Sequence, residues 1–328
     1  MTQNESRRRV YIELGMLAIL LLLPLGTSSL YSAYYINSLA TRIAIFAIIL
    51  LGYDLAAGYT GLVSLGHAMF YGIGAYTAAL MLSNISDSLL VAMAVGIAVS
   101  TVIAVLVGFL SIRLRGIYFA FLTLAFGQFF YLAAFNWISL TGGENGLHTI
   151  PKVPLAIPGL LELDLSQSFN YYYFVIFFLA LSYVLCRRIV ASPFGKVLEA
   201  IKQNEGRAEF LGYNVRSYKC RVFVISGMLG GLAGTLFAEL QRFVAPDVLH
   251  WHLSGDFILM TWLGGVGTLI GPVIGGAVIL LFRDLLGSVF QQYWELFTGA
   301  LYVLFVLFSP RGIVGFAQTL WAKGKRTP

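Results

Sequence analysis

Asp54 and Glu239 are carboxylates set in or beside long apolar runs, where an ion costs roughly 2.5–3.5 kcal/mol or more. A charge kept there either lines a watery path or finds a partner, and Arg42 and Arg242 are the nearest cations in sequence. Glu239 and Arg242 fall at one end of a run, which suits an interfacial salt bridge. Asp54 stands just ahead of a glycine-rich break and is the better candidate for a functional polar group, with structural pairing equally open. His67 opens the next run; a lone histidine is more often a hydrogen-bonded core residue than a ligand, and nothing nearby completes a metal site. His250 and His252 flank Trp251 without a carboxylate beside them, which suits a partner contact or an interfacial anchor. Ser64, Tyr71, Tyr76 and Thr77 offer hydroxyls to a small polar solute or, Tyr76 apart, equally to helix–helix hydrogen bonds.

Enzyme chemistry finds no support in this set. There is no hydrolase elbow, no pair of catalytic carboxylates and no metal cluster. A phosphate loop is missing too: Gly195-Lys196 runs into Val197, and Gly324-Lys325 into Arg326. No cofactor is expected on this chain, and if ATP drives its work another polypeptide must bind the nucleotide.

The elements that carry these residues are membrane helices. Charged residues make up 11% of the chain and hydrophobic ones 59%, against about 25% charged in a soluble domain. Apolar runs of about 20 residues recur along it. The reading is an all-α polytopic membrane protein, a single transmembrane domain over 1–328. Most of the 21 Lys and Arg lie in four clusters, at Arg7–Arg9, Arg113 and Arg115, Arg187–Arg221, and Arg311–Arg326. Each cluster abuts an apolar span, the positive-inside pattern, so the net charge of +6 does not imply a nucleic-acid partner. Cys186 and Cys220 flank the third cluster and are expected to remain thiols in a reducing compartment. The charged start and following apolar run read as an uncleaved first helix.

Candidate spans are 11–30, 37–57, 67–83, 89–111, 117–138, 169–186, 221–241, a broken region 255–286, and 289–308. Charge places both termini and the loop 187–220 in the cytoplasm and the loop 139–168 outside. The basic tail returns to the cytoplasm only if 255–286 makes two short passes around Gly264–Pro272, giving about ten membrane-embedded helical segments. A second break lies at Gly58–Gly66. Its pattern, Gly58-x-x-Gly61-x4-Gly66, is similar to Gly264-x-x-Gly267-x3-Gly271. Interrupted spans in both halves suggest an internal repeat with the permeation path at its interface; plain glycine turns are the alternative. The candidate path residues are Asp54, Gly58, Gly61, Ser64, Gly66, His67 and Tyr71, with Gly264, Gly265, Gly267 and Gly271.

The loop 187–220 is the one polar, helix-patterned stretch. Ser192 suits an N-cap and Pro193 the first helical position. Phe194, Val197, Leu198 and Ile201 then form an apolar stripe. Gly206, costing about 1 kcal/mol inside a helix, is expected to separate two short helices, with Gly212 and Asn214 as the stop. Lipid association would suit the basic residues, but Glu199, Glu205 and Glu209 among them suit a protein partner better. The docking candidates are Ser192, Pro193, Phe194, Gly195, Val197, Leu198, Ile201 and Glu205.

Gly61–Ala68, Tyr71–Tyr76, Thr141-Gly142-Gly143 with Gly146-Leu147, Ser192–Gly195, and Leu263–Thr268 with Gly271-Pro272 together resemble the LivM-type permeases of branched-chain amino acid ABC importers. The resemblance runs from Tyr35 to Val314, with the motifs in family order. It implies a bacterial inner-membrane importer: a heterodimer with a second, related permease subunit, two ATP-binding subunits holding ATP and magnesium, and an extracytoplasmic substrate-binding protein. It also implies that the 192–215 element couples to the ATPase, although the pair Gly206-Arg207 departs from the common pattern. Members also carry urea, amides and aromatic acids, so branched-chain amino acids are one expectation among these. The mechanism implied is alternating access, with little solute selectivity in the path. An ion-coupled secondary transporter, with Asp54 as its only protonatable candidate, is the main rival; a membrane scaffold is the third reading.

Overall fold

The computed structural model describes residues 30–148, 150–151, 155–157, 161–163 and 167–289, with short stretches at 296–297, 299–300, 302–303 and 312–316. The expected span 11–30 falls almost wholly outside the described residues and 289–308 for the larger part, as do the first basic cluster and every cation of the last.

In chain order, α1 (Leu30–Tyr53) continues into a π-helical turn at Asp54–Gly58, followed by α2 (Ala68–Asn84), α3 (Leu89–Ser111) and α4 (Ile117–Asn136). A short α5 (Ile138–Thr141) leads to α6 (Ser168–Ala191). Two small helices follow, α7 (Pro193–Gln203) and α8 (Glu205–Phe210). The long α9 (Val215–Gln241) precedes α10 (Trp251–Gly264) and α11 (Ile270–Val289). Six stretches are long and apolar enough to cross a membrane: Ser38–Gly58, Leu89–Ser111, Ile117–Asn136, Ser168–Ala191, Val215–Gln241 and Ile270–Gly287. α2, at 17 residues, sits at the lower limit of the length needed to span, and α10, at 14, falls short of it.

The expected pair of short passes at 255–286 is corrected to one short helix, α10, and one of 20 residues, α11. Pro272 does not shorten α11 because it sits in the first turn, where its missing N–H has no helical partner to lose.

Burial sorts the helices into centre and rim. The apolar windows of α1 and α9 are 83% and 78% buried, while those of α4 and α6 are each 28% buried. Rim helices therefore turn Val102, Leu106, Phe109, Phe121 and Phe177 outward, as lipid contact requires. α9 is the hub, packed on α1, α2 and α3; α1 also meets α6 and α11.

Without a hydrophobic force between helices in lipid, close backbone approach holds such a centre together. A Cβ at Gly234 of α9 would lie 1.8 Å from the carbonyl oxygen of Tyr71, and one at Gly74 of α2 would lie 2.3 Å from that of Gly231. Gly234→Val should lower the thermal unfolding midpoint in detergent and the yield of monodisperse protein, overpacking costing about 1–3 kcal/mol or more. Gly255→Ala, where a Cβ meets nothing within 4 Å, should change neither.

The loop 139–168 adds small strands. β1 (Leu147–His148) pairs antiparallel with β4 (Phe243–Val244), which follows α9, and β2 (Leu155–Ile157) pairs with β3 (Leu161–Leu163). Glu239 and Arg242 lie 3.6 Å apart beside β4. Both cysteines are free.

Candidate functional site

The two glycine breaks meet each other, and α7 meets both. The π turn places Asp54 at its start and Gly58 at its end, all five residues buried. Asp54 Oδ1 accepts the backbone N–H of Gly267 at 2.6 Å, and Oδ2 that of Leu269 at 2.9 Å. A turn with Gly265, Gly267 and Leu269 all at positive φ cannot satisfy those donors by helical bonding, and the carboxylate does it instead. Leu269, at φ 61, is in a conformation an L side chain rarely adopts, so this bond restrains a strained residue. Thr268 staples the same turn, donating to the Gly265 carbonyl at 2.7 Å and accepting from Gly271 N–H at 2.9 Å. Gly58 must be glycine: a Cβ there would stand 2.1 Å from Asp54 Oδ1 and 2.7 Å from Gly267 N.

From α7, Lys202 Nζ donates to the carbonyl oxygen of Gly58. A crevice of about 220 Å³ opens beside this contact, lined by Thr60, Gly61, Arg115, Lys202, Glu205 and Lys219 among others. One short chain, Lys202–Gly58–Asp54–Gly267, thus links the polar loop to both interruptions of the bundle. Sequence reasoning passed over Lys202 and Leu269. A cation in the last turn of an amphipathic helix was the available signal for Lys202.

The remaining path candidates are spread out. Gly66 lies against α4, where a Cβ would meet the Thr123 carbonyl at 1.9 Å, and Leu65 N–H donates to Thr123 Oγ1 at 3.2 Å. Ser64 accepts from Gly66 N–H through Oγ at 3.4 Å and from the Tyr53 hydroxyl through its carbonyl at 3.3 Å. His67 is a core residue that ties three helices. Its Nε2 lies 2.6 Å from Ser226 Oγ, which itself donates to the Gly52 carbonyl at 2.6 Å, so Nε2 is the donor in that network. Gly61, at φ 79, stands by the Lys202 stem. Gly264, Gly265 and Gly271 close the tight turn between α10 and α11; a Cβ on Gly264 would meet the Gly271 carbonyl at 1.7 Å. Tyr71 lies apart from the breaks and lines a different cavity.

In the loop, Ser192 caps α7, accepting from Gly195 N–H at 3.4 Å and donating to the Ile189 carbonyl at 2.6 Å. Gly195 is buried with room for nothing larger, a Cβ falling 2.3 Å from the Val190 carbonyl. The apolar stripe does not face outward. Val197 and Ile201 close a small core with Ala208 and Val215, Leu198 joins the main core, and Phe194 stacks on Tyr218 at 5.2 Å. An amphipathic face buries against the nearest apolar surface, here the first turns of α9. Glu205 is also held within the chain, 2.8 Å from Lys219 and 3.3 Å from Arg115. The expected break at Gly206 falls instead at Asn204, whose Oδ1 caps α8 by accepting Arg207 N–H at 2.9 Å; Gly206 lies inside that helix. Pro193 stays exposed. At the loop tip, Phe210 and Leu211 are 95% and 71% exposed, with Tyr213 beside them.

The sequence that folds in this way has relatives. Residues 35–306 match the family described as branched-chain amino acid transport system / permease component. The chain is 30% identical over 299 residues to the high-affinity branched-chain amino acid transport system permease protein LivM of Salmonella typhimurium, which covers 84% of this chain and 69% of that protein. It is 31% identical over 296 residues to Escherichia coli LivM, with the same coverage. It is 27% identical over 291 residues to Salmonella typhimurium LivH, covering 82% of this chain and 91% of that protein. No solved structure matches. The matched region contains both breaks, the loop between α6 and α9, and all six apolar helices, and on that extent this multi-pass membrane protein belongs to the branched-chain amino acid transport permease family.

Proposed function

We propose that this chain is the membrane-spanning permease subunit of an ATP-driven ABC importer for branched-chain or related small amino acids, moved by partner ATPases through the loop 187–220. The observation that carries this reading is the contact of Lys202 with Gly58, beside the Asp54–Gly267 bond. Displacing α7 must strain or release both breaks at once, which is what a lever requires.

In this reading the basic loop and both termini lie in the cytoplasm of a bacterium and the strand-bearing loop 139–168 lies outside. About ten segments are embedded, related by an internal repeat whose two breaks are the ones that meet at Asp54. Partners are a second related permease, two ATP-binding subunits holding ATP and magnesium, and an extracytoplasmic substrate-binding protein. The docking surface is formed by Phe210, Leu211 and Tyr213 at the tip with Pro193, while Val197, Leu198 and Ile201 stiffen it from within. The path runs beside Asp54 and the glycines of both breaks. Asp54 suits a structural anchor better than a proton carrier, since both oxygens already accept backbone N–H groups.

Purified in mild detergent from its native membrane, the chain should carry ATP-binding subunits and a second permease. Recovery of a stable, solute-accumulating chain without them would overturn the reading.

A further inference from the structure

A cavity of about 580 Å³ lies in the bundle away from the breaks, within the range of small-molecule sites, about 300–1,000 Å³. Arg42 on α1 precedes Asp54 by a helical rise of about 18 Å, so the cavity sits toward the face opposite the loop. Its walls carry Arg42, Asp247 on the 3₁₀ turn Pro246–Leu249, and Tyr71 on α2, with Phe46, Phe237 and Leu253 between them. Tyr71 is 1% exposed, and its hydroxyl has no hydrogen-bond partner among the described residues. A buried hydroxyl left so is costly unless something enters the cavity to meet it. Arg42 and Asp247 make no ion pair among the described residues. Arg283, also on the wall, is engaged by Asp256 through contacts of 2.8 and 2.5 Å, and Asp284 has interactions of its own.

We infer that this cavity is a binding site for a zwitterionic, apolar amino acid within the permease itself. Arg42 and the Tyr71 hydroxyl meet the carboxylate, Asp247 meets the ammonium group, and Phe46, Phe237 and Leu253 surround the side chain. Arg42 and Asp247 both keep solvent exposure at the cavity, and a ligand with a single charge meets only one of them. A zwitterion satisfies both. This rests on the permease reading but departs from a path without selectivity, because it adds recognition downstream of any binding protein.

The test is equilibrium binding of radiolabelled leucine to the assembled importer in nanodiscs, without binding protein and without ATP. Saturable binding is expected. Isopentylamine, which lacks the carboxylate, and 4-methyl-2-oxopentanoate, which lacks the ammonium group, should compete at least about tenfold more weakly than leucine. Arg42→Gln and Asp247→Asn should each weaken leucine by about tenfold or more, and Tyr71→Phe, which keeps the ring packing, by about three- to tenfold. Unchanged thermal unfolding midpoints identify the variants that remain folded. Leucine binding absent up to about 10 mM, or folded variants binding like the parent, would overturn the assignment. ATP-driven leucine uptake by the parent complex with its binding protein, measured on the same preparation, separates the two readings. Uptake present with binding absent or unaltered in the variants removes only the cavity site; no uptake of any branched-chain or related small amino acid removes the permease reading.

Discussion

Asp54→Ala is expected to cut ATP-driven uptake by about a hundredfold or more while the chain still inserts and assembles. Hydrogen bonds to a charged group contribute roughly 1.5–3 kcal/mol, and a buried donor left without its acceptor costs about 1–3 kcal/mol. Alanine removes both bonds at once and leaves the buried N–H of Leu269 and the part-buried N–H of Gly267 without that acceptor. The turn between α10 and α11 then loses the restraint that holds Leu269 at positive φ, and the Lys202–Gly58 contact has nothing beyond it to move. Asp54→Asn keeps one acceptor oxygen and should fall between parent and alanine. Initial rates of uptake and of ATP hydrolysis, measured together on reconstituted complexes, check this: uptake should fall further than hydrolysis. Parent rates for Asp54→Ala would show that the bond between the breaks has no part in transport.

Phe210→Asp with Leu211→Asp should detach the ATP-binding subunits, lowering their co-purification by about tenfold or more. Exposed aromatic anchors at an interface contribute about 2 kcal/mol or more each when they are its central contacts. Both side chains are largely exposed and belong to neither core among the described residues, so the folded loop should survive the change. Ile201→Asp is the contrasting variant. Ile201 is 3% exposed in the small loop core, and a charge there should unfold α7 and α8, seen as faster proteolysis within 192–215. If the tip double variant retains its ATPases at parent levels, the docking surface lies elsewhere.

The rim helices were legible from sequence because lipid makes them apolar all round, so length alone marks them. The expected 89–111 coincides with α3, and 117–138 overshoots α4 by two residues. The loop was legible as two short helices with Ser192 capping the first, but neither the cap at Asn204 nor the orientation was. A stripe at i, i+3, i+4 and i+7 tells which face is apolar and is silent about what covers it; Val197, Leu198 and Ile201 are covered by the chain itself. Asp54 was marked by its cost in an apolar run, yet its partners are backbone groups 213 and 215 residues away, which carry no side-chain signature. The same holds for Lys202, whose acceptor is a carbonyl 144 residues distant. Tyr71 looked like one more hydroxyl beside a break, and only the packing of α1, α2 and the turn at Pro246–Leu249 sets it in a separate cavity.

Vesicles offer the sharpest trial of whether this bundle is moved from outside itself. The two permease subunits, reconstituted without ATPases under imposed proton and sodium gradients, should accumulate no leucine; adding the ATP-binding subunits, the binding protein and ATP should produce accumulation. Gradient-driven accumulation by the permease subunits alone would contradict a chain that works only as the driven half of a pump.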